Sequence, residues 1–484
     1  MLIQESDWGS SLHLDISRGP RKVLDYLQEI DRDETYHLVH LYRNFPSPLR
    51  GFTSDTLMLQ VFESVAALPN ASNLKISYAS ATFPIHLLMQ VLAGTPNQVE
   101  TLDLLSVKFS YRDAMAVTKM MQQQQQQQQQ DSSTMSSSNI NLLSLKTISL
   151  ENCKAESTTG IKKKKGEPLD LFLASLASMK SLESLKLHLI EKEFLHNDLP
   201  PFPWLQKLHL ERLHVSEPSL NHILRCSPQL EELSLQSLVD PPQNAVLLSL
   251  ARALSFPTEE HNNHNSSCRL RILKLRFIFH NLHHLDEQAH NAFWEMLQHN
   301  HTLQEIHLTM NWRMDPYDSI IGIPIAAALR HHTLQRLYLH TRIDDNPQAR
   351  DNLKKSLILM AHALRDNETL RQFDFCLAGG LRGYDQDQVY NLLRGPFQNT
   401  DILEEQYSLE RLGLWYRAIG YLELTDKMNF FLKLNQAGRG RLLLGNPTRR
   451  DWVDAVVANH SDVSVVFFLL SHNPLLSETM LLGL

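Results

Sequence analysis

Asn367-Glu368-Thr369-Leu370-Arg371-Gln372-Phe373-Asp374-Phe375 decides the fold. A polar turn leads to an apolar residue, and three positions later an apolar–polar–apolar alternation begins. A period of two is that of a short strand with one face in a core. The extra residue, Leu370, fills the core where the chain turns into the strand. Asn300-His301-Thr302-Leu303-Gln304-Glu305-Ile306-His307-Leu308 repeats the arrangement. Working outward, the spacing L-x-x-L-x-L, with apolar replacements, returns at Val99–Leu104, Leu145–Leu150, Leu182–Leu187, Leu205–Leu210 and Leu230–Leu235. It returns again at Leu270–Leu275, Leu334–Leu339 and Leu409–Leu414, with a weaker copy at Asn73–Ile76.

Between these strands the apolar period becomes helical. Leu220, Ile223 and Leu224 lie on one helix face, and Ala292–Leu297, Ile325–Leu329 and Leu357–Leu364 read likewise. Polar turns such as Gln298–Thr302, Arg330–Thr333 and Arg365–Thr369 close them. Strand, helix and turn make one unit. Such a unit cannot bury its own apolar face, so neighbouring units must stack.

The turn-plus-strand segments at 300–308 and 367–375 resemble the leucine-rich repeat family, of the ribonuclease-inhibitor-like type, and the resemblance spans about residues 71–416. It implies an α/β fold: a leucine-rich repeat solenoid with parallel strands on the concave face, helices on the convex face and helical caps. The solenoid is expected to be irregular, with about eleven units. Unit length runs from 23 residues, Leu185 to Leu208, to 46, Leu102 to Ile148. The family's Asn or Cys three residues after the last strand leucine is matched by Cys153. Val107, Ile190, Leu213, Leu238 and Ile278 supply no such polar ladder. The segment from Asn429 to Leu442, with Trp452–Ala455 and Val465–Pro474, is similar to tails on repeat proteins of diatoms, which implies a source and no biochemical role.

Repeat arrays need caps, because a terminal unit would expose its core. Residues 1–70 are expected to form the N-terminal cap and 417–484 a C-terminal helical cap, with three short helices over 427–484. Gln122–Gln130, running on into Asp131–Ser138, reads as a disordered insert over about 122–139, because such a composition buries too little apolar surface to offset ordering. Lys162–Lys165 and His261–Ser267 read as solvated loops rather than signals.

The chain has 484 residues, 43% hydrophobic and 20% charged, with a net charge of −7. An acidic balance argues against nucleic acid as partner. Cys153, Cys226, Cys268 and Cys376 are scattered, without a CxxC pair, which fits a reducing compartment. No basic-then-apolar leader opens the sequence, and the apolar run Val465–Leu470 is too short for a bilayer. The expectation is a cytoplasmic protein with no membrane partner, the nucleus and the oligomeric state being left open.

Chemistry is expected to be absent: no enzyme, no cofactor, no metal. The 24 histidines include clusters at His280, His283 and His284 and at His331 and His332, without an HExxH pair. There is no GxSxG elbow, and Ala437-Gly438-Arg439-Gly440-Arg441 lacks the ending of a phosphate-binding loop. The implied function is a protein–protein interaction scaffold. The alternatives are a substrate-recognition subunit of a ubiquitin ligase, which would need an F-box-like helical segment near the N-terminus that residues 40–68 suggest by their helical pattern but do not match, and a histidine-rich metal protein or enzyme.

Alternation assigns the outward strand positions. They include Lys186, His188, Lys207, His209, Glu232 and Ser234, then Glu305, Gln372 and Asp374. Aromatics beside arginine are the composition of interface hot spots. The candidate protein-binding residues are therefore Lys274, Arg276, His307, Arg336, Tyr338, His340, Arg411 and Trp415.

Overall fold

The computed structural model describes residues 2–6, 9–15, 20–29, 36–43, 55–68, 71–78, 84–94, 99–119, 145–155, 167–189, 199–213, 217–236, 243–255, 269–276, 287–311, 325–326, 329, 333–342, 345, 347–379, 381, 383–398, 403 and 406–473. The glutamine and serine run, Lys162–Lys165, the 261–267 segment and the named histidines at 280, 283, 284, 331 and 332 lie outside them. The chain divides into two compact units, residues 1–249 with 263–269, and residues 250–262 with 270–484.

In the first unit the ladder runs through β1 (Leu2–Ser6), β2 (Gly9–Asp15), β3 (Tyr36–Arg43), β4 (Asn73–Tyr78), β5 (Thr101–Leu105), β7 (Thr147–Glu151), β9 (Ser184–His188), β10 (Lys207–Glu211) and β11 (Glu232–Gln236). Two short strands, β6 (Lys108–Phe109) and β8 (Lys154–Ala155), pair beside it. All these pairings are parallel except β1 on β2. In the second unit β12 (Ile272–Arg276), β13 (Glu305–Asn311), β14 (Arg336–Arg342), β15 (Gln372–Leu377) and β16 (Arg411–Tyr416) run parallel, and β17 (Gly420–Tyr421) folds back antiparallel on β16. Parallel neighbours need a crossover, and helices such as Glu217–Cys226 and Pro347–Arg365 supply it. The architecture is an α/β solenoid of strand–helix repeats, irregular in length.

Register turns the repeated spacing into rows. Leu273, Ile306, Leu337, Phe373 and Leu412 align across five strands, and Leu275, Leu308, Leu339, Phe375 and Leu414 form the next row inward. All ten are buried, as are Leu220, Ile223 and Leu224 on their helix. Burying one such side chain contributes about 1.5–3 kcal/mol.

The parallel ladder reaches into the region expected to cap the array. β2 and β3 align Leu12 with Val39 and Leu14 with Leu41, and β3 continues onto Leu74 and Ile76 of β4. The leading core position before Val39 holds Tyr36, only 1% exposed. An aromatic there and Gly9 before Leu12 hide these two strands from a leucine-spacing search. Among the described residues of the C-terminal region four helices stand where three were expected: Asp426–Gln436, Arg439–Leu444, Arg449–Ala458 and Val463–His472. They close on Leu434, Leu442, Trp452, Val456, Val465 and Leu469.

A polar ladder exists, though largely not where the family pattern puts it. Cys153 donates its thiol to the Leu104 carbonyl at 3.3 Å, the position the resemblance implied. The larger device lies in the turns before the strands. The Asn300 amide donates to the Leu254 carbonyl at 3.1 Å, and its oxygen accepts the Leu303 N–H at 2.8 Å. Asn367 makes the same pair of contacts, with the Leu329 carbonyl and the Leu370 N–H.

A second device follows four strands. Ser106, Asn152, Leu189 and Arg212 adopt left-handed backbone with φ of 58, 50, 52 and 52°. Each donates its N–H to the carbonyl of the last residue of a neighbouring strand: Glu151, His188, Glu211 and Gln236. A side chain in this conformation costs roughly 1–2 kcal/mol, partly offset in glycine by its freer unfolded chain. Arg212 is exposed, so Arg212→Gly is expected to stabilise the protein by about 0.5–1 kcal/mol. An upward shift of the urea midpoint checks this; an unchanged or lower midpoint would show that the arginine side chain contributes more than the strain.

Candidate functional site

The outward side of β12 to β17 gathers the candidate residues, one row per register position. The first row aligns Ile272, Glu305, Arg336, Gln372 and Arg411. The second aligns Lys274, His307, Tyr338, Asp374 and Gly413, and the third Arg276, Thr309, His340, Cys376 and Trp415. All eight predicted binding residues therefore share one face. Lys186, His188, Lys207, His209, Glu232 and Ser234 stand on the strands of the first unit.

Neighbouring side chains hold this face in place. His307 donates from Nε2 to Glu305 at 2.6 Å, and Arg336 donates to the other Glu305 oxygen at 2.9 Å. Burial alone would raise the Glu305 carboxyl, but these two donors outweigh it and hold it below the usual carboxylate range. The His307 ring stacks on Tyr338 with centroids 3.8 Å apart and planes 16° apart. Burial, then the charges of Glu305 and Asp374, push the Tyr338 phenol up.

Across the face, Gln372 donates to Asp374 at 2.7 Å, and the Arg411 guanidinium lies 3.7 Å from the other Asp374 oxygen. Glycine at 413 makes room for that carboxylate, since a Cβ there would sit 1.9 Å from it. His340 meets Trp415 edge-on at 6.2 Å. Burial and the flanking charges of Arg276 and Arg417 hold the His340 imidazole below its ordinary value. Tyr338, His340, Trp415 and Tyr421 help line a groove of about 390 Å³.

Several of these residues lay outside the sequence-based set. Tyr421, 67% exposed, reaches the groove only because β17 folds back to pair Tyr421 with Trp415 through a turn ending at Gly420, φ 91°. Glu305 and Asp374 were assigned outward, but alternation does not show which cations they engage. Arg417 carries no strand signal at all.

Cys376 borders the groove, but burial pushes its thiol up to about 12, so it stays protonated at neutral pH. Ser110, His86 and Asp113 meet, yet serine and histidine each bond to the aspartate rather than to each other. Ser110 also accepts the Asp113 N–H at 3.0 Å, a helix-start cap. The Gly438–Gly440 segment is structural too, with Arg439 buried between Tyr407 and Phe431. Among the described residues no group of three or more His, Cys, Asp or Glu could hold a metal ion, and no helix is long and apolar enough to cross a membrane.

Residues 160–283 match the family model described as the leucine-rich repeats of the FBD-associated F-box protein At5g56370. No curated protein matches the chain. Among solved structures, the leucine-rich repeat-containing protein LegL7 from Legionella pneumophila is similar at 12% identity and a TM-score of 0.35, over 89% of this chain and 98% of that one. The recurring L-x-x-L-x-L spacing and its register in parallel ladders crossed by helices are the architecture of a leucine-rich repeat solenoid, and residues 160–283 carry the match to a leucine-rich repeat family.

Proposed function

We propose that the chain is a non-catalytic protein–protein interaction scaffold that binds its partner on the outward face of β12 to β17. The observation that carries this reading is the pre-positioned set there. Tyr338 is stacked on His307, Arg336 is tied to Glu305, and Trp415 stands beside an open groove. Rigid aromatic anchors lose little side-chain freedom on binding. The scattered cysteines, three of them free in the structure, suit the cytoplasm as the setting.

Purification of tagged protein from the native cell, followed by mass spectrometry, tests the reading. Wild type is expected to recover specific partners, and Tyr338→Ala with Trp415→Ala to lose at least about 90% of them, as hot-spot truncations of about 2 kcal/mol each would. Equal recovery by the double variant would place binding elsewhere.

The matching repeat family is described from an F-box protein, which favours a second reading as a substrate-recognition subunit of a ubiquitin ligase. Its expected helical stretch at 40–68 contains the end of β3 and the helix Asp55–Ala66 that follows it. Recovery of ubiquitin-ligase subunits in the same purification would select this reading.

A further inference from the structure

The outward side of β12 to β17 is basic, although the whole chain is acidic. Lys274, Arg276, Arg336, Arg342, Arg411 and Arg417 stand there, against the carboxylates of Glu305 and Asp374 on the same strands. Both carboxylates are already engaged, by His307 and Arg336 and by Arg411. Among the described residues Arg276, Arg342 and Arg417 have no carboxylate partner, and all three are exposed. Excess positive charge on one face of a chain with net charge −7 is a concentrated local feature, and such a face attracts and orients an acidic partner.

Geometry narrows the partner. The exposed cations flank His340, Arg276 on β12 to one side and Arg417 just past β16 on the other, and the charges of both reach its ring. Neighbouring strands lie about 4.8 Å apart, so β12, β14 and β16 succeed one another at about 10 Å. A polyproline-type extended segment repeats its faces every three residues, at about 9.3 Å. Glutamate or aspartate at every third position would thus meet Arg276 and then the edge of His340, and a segment slanting toward the C-terminal end of β16 would bring the next one to Arg417, two residues past Trp415. The groove beside Tyr338, Trp415 and Tyr421, about 390 Å³, accepts one aromatic side chain between them.

We infer that this face binds an acidic, extended protein segment lying across the strands, with carboxylates at Arg276 and Arg417 and one aromatic residue in the groove. The inference rests on the scaffold reading and adds the chemistry of the partner.

The test uses the full chain and a fluorescein-labelled dodecapeptide with glutamate at every third position, one central tryptophan and proline elsewhere, read by fluorescence anisotropy. Saturable binding that weakens with added salt is expected. Arg276→Gln with Arg417→Gln should weaken it by about tenfold or more, and Lys354→Gln with Lys355→Gln, on the helix Pro347–Arg365, should leave it unchanged. The inference is overturned if the acidic peptide does not bind, if the arginine variant binds it equally, or if a lysine-for-glutamate peptide binds as well. Equal or tighter binding of a single-stranded DNA dodecamer would assign the face to nucleic acid instead. The native-cell purification separates the two readings. Loss of partners from the Tyr338→Ala and Trp415→Ala variant without acidic-peptide binding refutes only the acidic chemistry. Acidic-peptide binding without that loss overturns the placement of the native partners on this face.

Discussion

Asn367→Leu is expected to destabilise the protein by about 3–5 kcal/mol, because it strands buried backbone groups on both sides of a turn. Asn367 is 4% exposed. Its oxygen accepts the Thr369 N–H at 2.9 Å and the Leu370 N–H, and its amide donates to the Leu329 carbonyl. Leucine is of similar size, so the packing loss is small and the cost comes from unmet hydrogen bonds. Each buried group left without a partner costs about 1–3 kcal/mol. The next repeat leans on the same point, since Gln406 and Ser408 both donate to the Asn367 carbonyl, at 2.7 and 3.1 Å. A urea titration followed by circular dichroism measures the change. A loss under about 1 kcal/mol would mean that water reaches these groups and that the asparagine ladder is not what holds the turns.

Arg439→Ala should cost a similar amount, about 3–5 kcal/mol, through a cavity together with lost hydrogen bonds. Arg439 is 2% exposed and donates to the carbonyls of Leu403 at 2.9 Å and Gln406 at 2.7 Å. Its guanidinium lies over the rings of Tyr407 and Phe431, 4.5 and 5.0 Å from their centroids. Asn435 reinforces the joint, donating to the Gln406 carbonyl at 3.0 Å and the Leu409 carbonyl at 2.7 Å. Arg439→Met refills most of the volume without the donors, so it should recover roughly half of the loss. Amide hydrogen exchange should show the helices Asp426–Gln436 and Arg439–Leu444 losing protection first. Uniform loss across the strands, or an alanine variant as stable as wild type, would contradict a capping role for this residue.

Legibility followed the physics of each signal. The core rows could be read because leucine at L-x-x-L-x-L is a local pattern with one structural meaning once it recurs. β2 and β3 escaped because Gly9 and Tyr36 occupy the leading position. Tyr36 is buried like a leucine, so the packing was kept and only the letter changed. Asn300 and Asn367 were visible as polar turn residues, but their partners Leu254 and Leu329 lie 46 and 38 residues away. The candidate site divides the same way. Alternation assigned His307, Tyr338, His340 and Trp415 to the outward side, because strand geometry forces it. It could not show that His307 stacks on Tyr338, that Glu305 ties His307 to Arg336, or that Tyr421 returns beside Trp415.

The sequence by itself determined the repeat, the identity of its buried rows and the outward set of residues. Those depend on period and polarity, which neighbouring residues carry. The tertiary structure alone decided where the ladder begins, which turns are bridged by buried asparagines and which charges remain unpaired on the outward face. Those depend on register between strands tens of residues apart. Register is the outcome of packing whole units together and is written in no single stretch of chain.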